Sequence, residues 1–122
     1  MIKKVTFEGK NLIIESSSGT FIKNFNVEID EAIIHMHKIF VTLKLVRYYR
    51  DNRNVFCLNE NGDILWQIQD PDTYRAGLPK SDSPFAGIII TEDGKLRAVG
   101  VDSWRYDVDM ETGKLSNVEY YR

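Results

Sequence analysis

The sequence predicts an all-β protein: an antiparallel sandwich or partly open barrel of about ten short strands in hairpins. Three observations predict it. Acidic-glycine turns recur as Glu8-Gly9-Lys10, Glu60-Asn61-Gly62-Asp63, Glu92-Asp93-Gly94-Lys95 and Glu111-Thr112-Gly113-Lys114; glycine accepts the positive φ of a tight turn, and neighbouring Asn, Asp and Thr side chains can bond its backbone. The runs between the turns alternate with period two, as half-buried strands do. Helical periodicity is nearly absent, and strands recurring roughly every 8 to 12 residues favour a sandwich or barrel over an α/β fold.

Taken in order, strands are expected at 2–8, 11–16, 20–29, 39–46, 54–59, 63–69, 85–91, 95–101, 104–110 and 114–121. Ile64, Trp66 and Ile68 oppose Gln67 and Gln69; Trp104, Tyr106, Val108 and Met110 oppose Arg105, Asp107 and Asp109. Phe85-Ala-Gly-Ile-Ile-Ile90 is apolar at consecutive positions, the pattern of a central strand covered on both faces. Residues 30–40 admit two readings. Asp30 can cap at most one short helix near 30–38, with Ile33, Met36, His37 and Phe40 on one side; the alternation of Ala32, Ile34 and Met36 with Ile33, His35 and His37 favours a strand.

With 122 residues, 43% apolar and 28% charged, the chain is expected to be one globular domain, 1–122. That length buries roughly two-thirds of the unfolded surface, so stability needs no metal, cofactor or disulfide. Cys57 is the single cysteine, and no intramolecular disulfide can form. The apolar runs fall far short of the about 20 residues that cross a bilayer, and Met1-Ile-Lys-Lys-Val-Thr-Phe-Glu lacks a signal peptide's apolar core, so no membrane association and a cytoplasmic location are expected. A net charge of -2 supplies no broad positive field for general nucleic-acid binding.

Few residues combine into chemistry. His35-Met36-His37 on a strand would put both imidazoles on one side, but zinc needs a third ligand and none stands at a recognised spacing, so no metal is expected. The same pair, with Lys38 or Lys44, has the composition of a metal-independent ribonuclease site. Cys57 lies between apolar neighbours with no base beside it and reads as a buried thiol. Asp102, Asp107, Asp109 and Glu111 line one hairpin, and Asp107 shares a face with Asp109; a solvated acidic face over the aromatic one explains them without function. No nucleophile elbow, Walker loop or dinucleotide-binding loop occurs, and no catalytic residues are assigned. The conspicuous surface candidates are two irregular stretches. Residues 46–54 carry Tyr48, Tyr49, Arg50 and Arg53; residues 70–84 carry Tyr74, Arg75 and all three prolines. Tyr and Arg are enriched at interface hot spots, and long loops on a rigid frame are disproportionately binding elements.

The block Asn54-Val-Phe-Cys-Leu-Asn-Glu-Asn-Gly-Asp-Ile-Leu-Trp-Gln-Ile68 resembles the strand–turn–strand of a quinoprotein-type propeller repeat. Later turns echo it at glycine spacings of 32 and 19 residues, without a propeller's regular period. Together with Phe85-Ala-Gly-Ile-Ile-Ile90, Glu92-Asp-Gly-Lys-Leu96 and Trp104-Arg-Tyr-Asp-Val-Asp-Met-Glu-Thr-Gly-Lys-Leu115, it is similar to small bacterial all-β proteins, some of them immunity proteins of contact-dependent or polymorphic toxin systems. The likeness covers about half of the chain, chiefly 54–68 and 85–118, and brings no catalytic residues with it. It implies a non-catalytic protein-binding domain whose partner is a cognate toxin. The expected contact residues are Tyr48, Tyr49, Arg50, Arg53, Tyr74 and Arg75, or the acidic ridge of Asp107 and Asp109. The alternative is a small RNA-binding or RNA-cleaving protein using His35, His37 and the Arg/Tyr loop.

Overall fold

A computed structural model describes residues 1–45, 52–71, 84–101 and 103–120. It contains three antiparallel sheets, each a meander in which consecutive strands pair. The first holds β1 (Ile2–Glu8), β2 (Asn11–Ser16) and β3 (Gly19–Asn24). The second, in the middle, holds β4 (Ile29–His35), β5 (Lys38–Leu43), β6 (Val55–Leu58) and β7 (Ile64–Gln67). The third holds β8 (Phe85–Ile90), β9 (Leu96–Gly100), β10 (Trp104–Val108) and β11 (Leu115–Tyr120). Among the described residues no barrel closes, and no helix is long and apolar enough to cross a membrane.

The middle sheet is covered on both faces because its strands are apolar at consecutive positions. Ile29, Ile39, Val41, Leu43 and Leu58 pack with Leu12 and Ile14 of the first sheet and with Phe25 and Val27. Phe40, Val55, Cys57, Trp66 and Ile68 face the other way, onto Phe85, Ile88, Leu96, Ala98, Tyr106, Val108 and Leu115 of the third sheet. Each of these larger side chains contributes roughly 1.5 to 3 kcal/mol by leaving water. Phe85 and Tyr106 meet edge to face at 5.9 Å, and Tyr106 is buried with Trp104 half-buried beside it, as the alternation requires. The acidic-glycine turns form as expected, with Gly9, Gly62, Gly94 and Gly113 all at positive φ.

Two expectations are corrected, and one open choice is decided. The doubly covered strand is β5; β8 is an edge strand of the third sheet, and Ile89 is 44% exposed. The stretch 20–29 is not one strand: it leaves the first sheet after Asn24 and enters the middle sheet at Ile29. Phe25, Val27 and Ile29 stay buried across the crossing, so the alternation runs on although the pairing partner changes. Residues 30–38 hold no helix but the β4–β5 hairpin, whose two-residue turn is Met36 (φ 49°) and His37 (φ 64°).

Candidate functional site

Asn54 precedes β6 and follows the first irregular stretch. Its buried carboxamide donates from Nδ2 to Leu43 O (3.1 Å) and to Phe85 O (2.8 Å), and its Oδ1 accepts from Phe85 N (2.8 Å). Leu43 N also donates to Asn54 O at 2.9 Å. The side chain at the end of the 46–54 stretch thereby ties the last residue of β5 to the residue after the 70–84 stretch. Arg53 closes the remaining root: its Nε donates to Ile68 O (2.9 Å) and its Nη2 to Gln67 O (3.3 Å), while Gln67 Nε2 returns a bond to Arg53 O (2.7 Å). Asn52 Nδ2 reaches Asp70 Oδ1 at 3.4 Å. Gln69 is anchored to the third sheet, donating from N to Gly113 O (3.0 Å) and accepting Leu115 N at Oε1 (2.9 Å). The roots of both stretches therefore converge at one end of the middle sheet, which Phe85 and the Gly113–Leu115 segment meet from opposite ends of the third sheet. Hydrogen bonds from a charged guanidinium and a fully used buried amide are the stronger kinds, so this platform is stiff.

Of the residues singled out by sequence, Arg53 lies in this platform, with its guanidinium on backbone carbonyls. Tyr48, Tyr49, Arg50, Tyr74, Arg75 and Asp102 lie outside the described residues. Asp107 and Asp109 line one shallow pocket together with Lys95, Met110 and Ser116, although β10 ends at Val108 and only Asp107 is on the strand. Asp107, only 24% exposed at its side chain, is paired with Arg97 (3.0 Å) and accepts Asn117 Nδ2 (2.8 Å). Asp109 is exposed and caps the next turn, its carboxylate accepting Glu111 N at 2.8 Å and its carbonyl accepting Gly113 N at 2.7 Å. His35 ends β4 while His37 is in the turn, so the two imidazoles do not share a strand face. Among the described residues no group of three or more His, Cys, Asp and Glu is arranged to hold a metal ion.

A second joint, which sequence reasoning missed along with Asn54, locks the third sheet to the middle one. Trp66 Nε1 donates to Met110 O (2.7 Å), and the indole lies so close over Gly113 that a Cβ there would stand 2.5 Å from Cε3. Lys38 Nζ reaches across to Met110 O (3.2 Å) and Glu111 Oε1 (2.7 Å). Burial beneath this seam pushes the Cys57 thiol from its usual 9.0 up to about 11, the nearby Lys38 charge only partly opposing it.

Comparison with known proteins places this architecture. A family profile described as "Domain of unknown function (DUF7957)" matches residues 2–120. The chain belongs to the DUF7957 family. No curated protein matches the DUF7957 chain in sequence. Among solved structures, BamB from Moraxella catarrhalis, a β-propeller, is similar over 92% of this chain with a TM-score of 0.60 and 16% identity. The computationally designed Ika8 protein is similar over 97% with a TM-score of 0.55 and 11% identity. The DUF7957 chain spans only 32% and 36% of those two chains, and the likeness is one of fold alone.

Proposed function

We propose that this DUF7957 chain is a non-catalytic protein-binding domain, an immunity protein that neutralises a cognate bacterial toxin by occluding it, and that its contact surface is the end clasped by Asn54. The convergence of the loop roots carries the reading. Stretches 46–54 and 70–84 hold Tyr48, Tyr49, Arg50, Tyr74 and Arg75, the residue types that dominate interface energetics. Fixing their roots to a double-faced core lowers the entropy lost when a partner binds. Occlusion of a toxin's active surface then needs no chemistry of its own, only aromatic and Arg anchors and charges that suit the partner. The alternative reading, an RNA-cleaving pair, gains nothing from a His37 held in a hairpin turn away from the β4 face that carries His35.

The test is affinity capture from native cells followed by mass spectrometry, with wild type and a Tyr48→Ala/Arg50→Ala/Arg53→Ala variant as bait. Recovery of a toxin domain by wild type, and its loss with the variant, is the expected result. Failure to recover any toxin from cells that express the neighbouring genes overturns the immunity reading.

A further inference from the structure

Among the described residues the sheets have six edge strands, and five of them are bulged against their neighbour. The ladders of β1, β4, β7, β8 and β11 each carry a register shift: at Ile2/Lys4, Ile29/Glu31, Cys57/Leu58, Phe85/Gly87 and Arg105/Asp107. Bulges twist an edge out of line and stop a further strand from adding. The exception is β3, which pairs with β2 from Gly19 to Asn24 without interruption. Its backbone direction follows from one bond. Phe25 N donates to Lys10 O at 2.9 Å, so the hydrogen-bonded pairs of this ladder fall at Leu12–Lys23, Ile14–Phe21 and Ser16–Gly19. The N–H and C=O groups of Thr20, Ile22 and Asn24 therefore point away from β2, and Ile22 is 68% exposed.

We propose that this edge pairs with the same edge of a second copy of the chain, antiparallel, with Ile22 on the two-fold axis. In that register Ile22 meets Ile22 of the other copy and Thr20 meets Asn24, so every outward-facing backbone group of both strands is used. The outward side chains are uncharged, and the one charge on β3 is placed by the same register. Lys23 falls opposite Phe21, where a cation and an aromatic face are complementary; centring the pair on Lys23 instead would set two ammonium groups against each other. Like faces also meet like faces: Thr20, Ile22 and Asn24 lie on the outer side of the first sheet, and Phe21 and Lys23 on the inner side. The product is a six-stranded sheet across the dyad. A single strand pair lies at the small end of specific interfaces, so the dimer is a weak, concentration-dependent one. The proposal is independent of the toxin reading, which concerns the other sheets.

The experiment is sedimentation velocity on the full chain from micromolar to near-millimolar concentration, beside Ile22→Lys. Wild type is expected to rise from 14.1 kDa toward twice that mass, and Ile22→Lys to associate at least tenfold more weakly with unchanged circular dichroism. Register is read with single cysteines: in oxidised glutathione, Ile22→Cys cross-links two copies, because its Cα atoms across the dyad are about 5.5 Å apart, within disulfide range. Thr20→Cys, opposite Asn24, does not. A wild type that stays at 14.1 kDa throughout, or a dimer indifferent to Ile22→Lys, overturns the proposal. So does a monomer whose β3 amides become protected only when a different protein binds.

Discussion

The carboxamide of Asn54 and the backbone of Phe85, 31 residues apart, exchange two hydrogen bonds of 2.8 Å each, in the manner of a strand pair but made by a side chain. This exchange is where the middle and third sheets are joined at the end that bears both loops. Asn54→Ala would leave Leu43 O, Phe85 O and Phe85 N without partners in a buried place. The expected cost is about 2 to 4 kcal/mol in urea-induced unfolding. Asn54→Asp would cost at least as much, since a carboxylate keeps the bond from Phe85 N but faces two carbonyls.

Gly113 is held at φ 78° beneath the Trp66 ring. Gly113→Ala adds a Cβ into contact with Trp66 and strains the backbone, so a loss of about 2 kcal/mol or more is expected, with a shift in tryptophan emission. In a Trp66→Leu background part of that cost disappears because the obstructing ring is gone. The cycle of single and double variants reads the contact as a coupling energy.

The Cys57 thiol keeps its proton in the native state up to about pH 11, whereas the unfolded chain releases it near 9.0. Above pH 9 the unfolded state then binds fewer protons than the native one, so stability falls as pH rises through this window and is unaffected by Cys57 below it. Unfolding measured from pH 7 to 11 should show a steeper fall in wild type than in Cys57→Ala, the difference between the two being the share of Cys57 above pH 9. Aromatic-disulfide thiol titration at pH 8 should find Cys57 unreactive until the chain unfolds.

Met36 and His37 occupy a two-residue hairpin turn with both residues at positive φ, a conformation that side chains other than Asn and Gly resist. Met36→Asn/His37→Gly should therefore raise stability by about 1 to 2 kcal/mol in thermal unfolding.

Much of the fold was legible because its signals are local. The glycine turns, the alternation through Trp104–Val108 and the short spacing give the strands and their antiparallel order. What escaped notice depends on contacts between distant parts of the chain. Phe85–Ile90 is apolar at every position whether it is central or an edge, and the sheet order decides between them. Nothing in the run from Phe21 to Ile29 marks the crossing between sheets, since Phe25 and Val27 keep the burial pattern while the hydrogen-bonding partner changes. Met-His carries none of the residues that announce a tight turn. The site divides the same way: Tyr and Arg in two loops stand out by composition, but Asn54, which ties the roots of those loops together, looks in sequence like any polar residue at a strand's start.

The most direct test of the central claim, that a protein partner docks on the end clasped by Asn54, is a calorimetric titration of the captured toxin domain into wild type, Tyr48→Ala/Arg50→Ala and Asp109→Ala. The account predicts one-to-one binding, weakened at least tenfold, about 1.4 kcal/mol, by the loop variant and left within twofold by Asp109→Ala, which alters a turn cap in the seam over Trp66. Unchanged affinity in the loop variant, with the loss appearing at Asp109 instead, would contradict it.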